Sequence, residues 1–344
     1  MANHTKQPTM MDVAHLAGVS PMTVSRALKP NTSVSEATRK KIRKAADELG
    51  YVLDSTAAGL SSRRTGFIAV TIPSINNANF ADTLSGLSQV LRETSLQALL
   101  GYTDYDVAEE ERLVEQFLRR RPEAIIVTGE AHTDRCRKML ENCGVPVVEM
   151  WDIPSAPIGQ VVGFSNAGAA KLMVDHFYQQ GFRKIGFVGG DPSRDTRGQD
   201  RRRGFLDTMK YYGLETHRMI NQELPPITMH EGAASMKKML ETWPDTQAVM
   251  CVSDLSAFGA MMECQRQGLK IPNDMAIGGF GAYDLSEQSV PPITTIDVSA
   301  NEIGKIAANV ILDMLNADVQ TSVQQINAIE PTLLIRDSTM MKPK

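Results

Sequence analysis

Cysteine is scarce in this 344-residue chain, with only Cys136, Cys143, Cys251 and Cys264. No two of them stand in C-x-x-C spacing and none neighbours a histidine pair, so they read as buried reduced thiols and not as a disulfide frame or a zinc site. That places the chain in the cytoplasm. The six histidines are scattered, and no metal is expected. No run of eighteen apolar residues occurs, so no segment is expected to span a membrane. Met1 to Pro8 is polar and lacks the apolar core of a signal peptide. The strings G-x-x-x-x-G-K-[ST] and G-x-S-x-G are missing, and GFVGGDPSRDTRG lacks the G-x-G-x-x-G spacing. No catalytic residue and no cofactor are therefore expected.

With 42% hydrophobic and 22% charged residues, the chain has enough apolar material for two or three domains. Its charge is unevenly placed. Residues 1–64 hold ten Lys/Arg against five Asp/Glu, whereas the whole chain is −4, leaving about −9 on the remainder. A basic head on an acidic body is the electrostatic footprint of a nucleic-acid-binding unit joined to something else.

The head reads as three short helices. Thr9 can cap a helix over Met11–Ala17 that Gly18 stops, Ser20 and Pro21 open a second one running to about Leu28, and Ser35-Glu36 announce a third that ends at Gly50. Two short helices separated by about four residues have helix-turn-helix spacing. Val13, Leu16, Val19, Val24 and Leu28 recur at helical intervals and predict a small core with Ile42, Ala45, Ala46 and Leu49. Turning Val24 and Leu28 inward leaves Pro21, Met22, Ser25, Arg26 and Lys29 outward. Arg26 suits a bidentate contact to guanine, Met22 and Pro21 a thymine methyl, and Thr23 and Ser25 phosphates.

DVAHLAGVSPMTVSRAL followed by VSEATRKKIRKAADELGY resembles the headpiece of the lactose/galactose repressor (LacI/GalR) family of bacterial transcription regulators. The resemblance covers nearly the whole chain. It implies base reading by Pro21, Met22 and Arg26 and phosphate contacts from Thr9, Ser20, Thr23, Ser25 and Asn31. It further implies a hinge helix, formed on DNA, in which Ala57 takes part and Leu60 wedges the minor groove of a palindromic operator. Leu53 and Asp54 depart from the proline and asparagine usual in that hinge.

From Gly66 onward strands and helices alternate, and runs such as AIIVT, KIGFVGG and AVMCVSD fit strands covered on both faces. A first set of units ends near Met150, and a second begins near Val161. ITTIDV is expected to return the chain to the first set, and LLIRDS to form a last short strand. The fold expected is α plus α/β: a headpiece over 1–51, a hinge linker over 52–65, and a two-subdomain α/β body over 66–344. The subdomains are placed at 66–161 with 292–325 and at 162–291 with 326–340. The family resemblance implies that this body is like a periplasmic binding protein. The short tail after LLIRDS lacks the leucine-rich helix of tetrameric members, which implies a homodimer.

Ligands of open parallel sheets sit beyond the carboxyl ends of the strands. Candidate effector contacts there are Asn77 and Phe80 after the first strand, Thr128 and His132 after the third, Phe164 at the crossover, and Ser253 with Asp254 after AVMCV. Arg201 falls on the arginine of the family's R-x-x-G-F effector pattern. His132 reads equally as a surface histidine near a helix start. Arg197, Arg202 and Arg203 read as a solvated helix face. Ser253-Asp254 and Phe280-Gly281-Ala282 stand where many sugar-binding members carry Asn-Asp and Phe-Asp-Asp, so polar ligands for hydroxyl groups are missing. His132, Arg194, Arg197 and Arg201 are all available near the cleft, and a pocket that loses carboxylates and gains cationic groups suits an anionic ligand. PSINNANFADTL, GEAHTD and MMECQRQGLKIPNDMAIGGF are similar to the gluconate-utilisation repressors of the family, which implies a repressor released by gluconate or a related or phosphorylated sugar acid. A regulator of a neutral sugar, or the sugar-binding protein of a transporter, is the alternative. The partners expected are operator DNA, a sugar acid and a second copy of the chain, with no membrane.

Overall fold

Thr9 opens the chain's first helix with a reciprocal cap. Its N–H and hydroxyl donate to Asp12 Oδ2 at 2.7 and 2.6 Å, and the Asp12 N–H donates back to Thr9 Oγ1 at 3.3 Å, so donors left over at the helix start are satisfied. In the computed structural model the described residues are 7–28, 33–52, 65–190, 196–221, 227–317 and 324–341. They fall into two units, Met1–Thr65 and Gly66–Lys344.

The first unit has three helices, α1 (Met10–Ala17), α2 (Pro21–Ala27) and α3 (Glu36–Leu49). Gly18 and Gly50 end α1 and α3 in the left-handed region. Ser20 caps α2, accepting the Thr23 N–H at 3.2 Å. Val13, Ala14, Ala17, Val24, Ala27, Ile42, Ala45 and Ala46 are buried. Leu16, expected in this core, is instead 47% exposed. The buried arc of α1 runs through positions 13, 14 and 17, and residue 16 lies off it. Asn31 and most of the expected hinge, with Ala57 and Leu60, lie outside the described residues.

The second unit alternates as expected. Its elements are β1 (Phe67–Ile72), α4 (Ala78–Leu91), β2 (Gln97–Tyr102), α5 (Val107–Arg119), β3 (Ile125–Thr128), α6 (Asp134–Glu141), β4 (Val147–Met150) and β5 (Gln160–Gly163). Then come α7 (Asn166–Gln179), β6 (Ile185–Gly189), α8 (Thr196–Tyr211), β7 (Met219–Asn221), α9 (Met229–Thr242), β8 (Ala248–Cys251), α10 (Asp254–Arg266) and β9 (Ala276–Gly278). The chain closes with α11 (Asp284–Gln288), β10 (Thr295–Asp297), α12 (Ala300–Asn316), β11 (Ile326–Ala328) and β12 (Thr332–Leu334).

Two parallel sheets result, one of order β11-β5-β4-β3-β1-β2 and one of order β7-β6-β8-β9. This topology corrects the subdomain limits. Gln160–Gly163 pairs with β4 and Ile326–Ala328 pairs with β5, so both strands belong to the first sheet and not to the second subdomain. ITTIDV does not pair with the first sheet: β10 is antiparallel to β12, and Thr294 bridges Gly278 of β9 in parallel. The chain thus crosses between the subdomains after β5, after β10 and after β11. A strand of three or four residues carries no sequence mark of which sheet it will join, whether buried like β5 or exposed at an edge like β11, and only the pairing assigns it.

The crossing helix α12 docks on α4 through glycine. A Cβ on Gly86 would stand 2.0 Å from the Asn301 carbonyl oxygen, and one on Gly304 1.9 Å from that of Thr83. Thr83 secures the contact by donating its hydroxyl to the Asn79 and Ala300 carbonyls at 2.8 and 3.1 Å. One apolar core runs through both subdomains. At its centre Phe80, Trp151, Phe164 and Phe280 form a chain of rings with centroids 5.1, 5.8 and 6.2 Å apart.

Candidate effector cleft and DNA interface

Asn77, Asp106, Ser165, Ser253 and Tyr283 each stand at the N-cap of a helix that follows a strand. Strand ends and helix starts are thereby brought to one place, where backbone donors and polar caps converge. A cavity there is lined by Asn76, Asn77, Phe80, Tyr105 and Trp151 from the first subdomain and by Arg197, Arg201, Ile227, Ser253, Phe280 and Tyr283 from the second. Asn166 at the crossover completes it. Arg201 stacks over the Phe280 ring at 4.3 Å, and Arg197 over Phe80 and Tyr105 at 5.2 and 5.7 Å. Both guanidinium groups lie over aromatic faces, which favours a cation at these positions.

Of the residues expected to contact an effector, Asn77, Phe80, Arg201 and Ser253 line this cavity. Thr128 and His132 line a neighbouring one instead. Phe164 reaches neither; it is fully buried between Trp151 and Phe280. Asp254 is likewise corrected. It is fully buried within the wall, where its carboxylate accepts the Tyr283 N–H at 2.7 Å and the Thr295 hydroxyl at 2.6 Å. Burial pushes that carboxyl up to about 6 in spite of these two donors. The helix opens at Asp254, so Ser253 is its cap and the aspartate turns inward.

Arg197 is no solvated residue: it is 5% exposed. Arg203 does lie on a solvated face, paired with Asp200 at 2.8 Å, and Arg194 lies outside the described residues. Tyr105 and Trp151 line the cavity as well, without a motif around them to mark either as a site residue. Both have left-handed backbones, with φ of 56° and 75°, a strain of order 1–3 kcal/mol that proteins keep where it serves a site. A tryptophan directly after the strand VVEM was the signal available for Trp151. Its Nε1, Asn166 Oδ1 and Arg197 Nη1 are buried without a hydrogen-bond partner among the described residues. Polar atoms left open on a cavity wall await a ligand or water.

His132 is not a surface residue either, its side chain being 1% exposed. Its Nδ1–H donates to Glu110 Oε2 at 2.6 Å. Burial alone pushes the imidazole down; the Glu110 hydrogen bond and charge outweigh it and hold the ring above its ordinary value. Among the described residues two sets bring metal-type donor atoms within 4.8 Å of one another: Glu110, His132 and Cys136, and Glu130, Asp152 and Asp200. In the first the donors bond each other, and burial pushes the Cys136 thiol up to about 12. In the second Asp200 is held by Arg203 and Asp152 Oδ1 by the Ile153 N–H at 3.0 Å. Neither is read as a metal centre.

In the first unit, Pro21, Met22 and Arg26 are exposed along α2 while Val24 and Ala27 are buried. Thr23 and Ser25 are half-buried. Thr9 and Ser20 serve as N-caps, their hydroxyls accepting the Asp12 and Thr23 N–H groups. Among the described residues no helix is long and apolar enough to cross a membrane.

A helix-turn-helix unit and a two-sheet body with a polar interior cleft define a ligand-responsive DNA-binding regulator. Residues 9–54 match the bacterial regulatory proteins of the lacI family, and residues 174–339 match the periplasmic binding protein-like domain. The chain is 33% identical over 311 residues to the HTH-type transcriptional regulator GntR of Pseudomonas aeruginosa, covering 90% of each chain. It is 32% identical over 316 residues to the regulator IdnR of Escherichia coli, covering 92% of this chain and 93% of that one. A LacI-family transcriptional regulator from Silicibacter pomeroyi superposes with a TM-score of 0.90 at 34% identity, over 97% of this chain and 100% of that one. The chain belongs to the LacI family of DNA-binding transcription regulators, which are not enzymes.

Proposed function

We propose that this regulator represses genes of sugar-acid utilisation and is released from its operator by gluconate or a related sugar acid bound in the cleft. The observation that carries the anionic-ligand reading is the convergence of Arg197 and Arg201 on one cavity, while the nearby Asp254 carboxylate is engaged inside the wall. The similarity to GntR and IdnR supports the sugar-acid class. In this reading Arg201 takes the carboxylate, and Asn77, Ser253 and Asn166 face the hydroxyl groups.

The regulator acts in the cytoplasm as a homodimer on a palindromic operator, with α2 of each copy in successive major grooves about 34 Å apart. Pro21, Met22 and Arg26 read bases; Thr9, Ser20, Thr23, Ser25 and Asn31 hold the backbone; Ala57 and Leu60 act in the hinge. Ligand and operator are linked, so operator DNA lowers ligand affinity by the factor by which ligand lowers operator affinity. The test is a mobility-shift assay on genomic fragments with gluconate, 6-phosphogluconate and neutral sugars. Release by the acids alone is expected; release by a neutral sugar alone would overturn the anionic reading.

A further inference from the structure

Arg197 stands between two cavities. It lines the first with Arg201, and the second with Tyr105, Glu110, Thr128 and His132. Two polar atoms on the walls of the second cavity are buried without a hydrogen-bond partner among the described residues, Arg197 Nη1 and His132 Nε2. Arg197 is 5% exposed and the His132 side chain 1%. Neither group has bulk water to turn to, and such groups are completed by a ligand or an ordered water.

The chemistry of the wall favours an anion. Glu110 fixes the His132 proton on Nδ1 at 2.6 Å, so in the charged ring the Nε2–H is a donor. Glu110 itself is occupied: Oε2 also faces the Cys136 thiol at 3.9 Å, and Oε1 accepts the Thr71 hydroxyl at 3.4 Å. Asp106, the other acid of this wall, caps a helix through the Ala108 N–H at 2.8 Å. What is left to meet a ligand is one guanidinium and one imidazole, flanked by the Tyr105 ring.

We infer that the second cavity is a phosphate subsite continuous with the carboxylate site. The effector is then a phosphorylated sugar acid gripped at both ends, its carboxylate on Arg201 and its terminal phosphate between Arg197 and His132. The inference rests on the sugar-acid reading above and narrows it.

The test is calorimetric binding of gluconate, 6-phosphogluconate and glucose 6-phosphate to the full chain. 6-Phosphogluconate should bind about tenfold or more tighter than either compound that lacks one of the two anionic ends, as charge-assisted bonds in a cleft predict. His132→Asn keeps an amide donor toward Glu110 but removes the group at Nε2. It should lower the affinity for 6-phosphogluconate about tenfold more than that for gluconate. The wild-type ratios stand even if the variant folds poorly. Equal wild-type affinities for gluconate and 6-phosphogluconate overturn the phosphate subsite and leave the sugar-acid reading in place. Glucose 6-phosphate binding as tightly as 6-phosphogluconate overturns the two-ended grip. Binding of none of the three overturns both readings, and a folded His132→Asn protein with the wild-type ratio overturns the assignment to His132.

Discussion

The Tyr283 hydroxyl donates a 2.7 Å hydrogen bond to Asn77 Oδ1, joining residues 206 positions apart across the effector cleft. Asn77 Oδ1 also accepts the Asn79 N–H at 3.1 Å, so the bond ties the starts of α4 and α11 together. Burial holds the phenol well above its ordinary range, with the Asp254 charge adding to it, and the group stays a donor. Gly281 makes room for the ring: its φ is +119°, and a Cβ there would stand 2.5 Å from Tyr283. Tyr283→Phe should lose one neutral hydrogen bond, about 0.5–1.5 kcal/mol, and weaken effector binding by roughly two- to tenfold. Calorimetry on the free protein measures it; unchanged affinity would show that the ligand-bound cleft does not use this link.

Arg26→Ala should cost about 1–3 kcal/mol per half-site and relax preference at one base pair, since a bidentate guanine contact is lost. Binding of wild-type strength and selectivity to a randomised operator pool would remove Arg26 from base reading.

Arg201→Ala should leave operator binding without ligand intact and raise the sugar-acid concentration needed for release roughly 10- to 150-fold, the equivalent of about 1.5–3 kcal/mol. Arg201→Lys should rescue only part of this, because an ammonium lacks the planar fork that stacks on Phe280. Operator titrations at graded ligand concentration separate the three proteins. Release of the alanine variant at the wild-type concentration would sink the pocket assignment.

Burial pushes the Asp152 carboxyl up to about 6, with the Asp200 and Glu130 charges adding to it. An unfolded aspartate titrates near 3.9, so between about pH 4 and pH 6 the fold binds the extra proton and stability falls as pH rises, reaching a constant deficit above. Asp152→Asn keeps an oxygen for the Ile153 N–H and should gain about 1–3 kcal/mol at pH 7 with little change at pH 4. Asp254, also near 6, keeps its share of the slope. Denaturant midpoints at the two pH values decide it, and equal gains at both would exclude the titration of Asp152 as the cause.

Local chemistry made the headpiece legible. Thr9, Gly18, Ser20-Pro21 and Gly50 act on backbone groups a few residues away, so the three helices and the outward set Pro21, Met22 and Arg26 follow from neighbours in the chain. The alternation of the body, the convergence of strand ends and the place of Arg201 were determined in the same way, by apolar runs and a short motif. Contacts between distant segments decided the rest. RGQDRRRG has the composition of a solvated helix face, yet Arg197 is buried because Phe80 of α4 and Tyr105 of the loop after β2, more than ninety positions earlier, supply ring faces for its guanidinium. Asp254 has the position of a ligand contact, but Thr295 and the Tyr283 backbone satisfy it inside the wall. The allegiance of Gln160–Gly163 and Ile326–Ala328 to the first sheet depends on ladder hydrogen bonds between strands whose own sequences fit either sheet equally well.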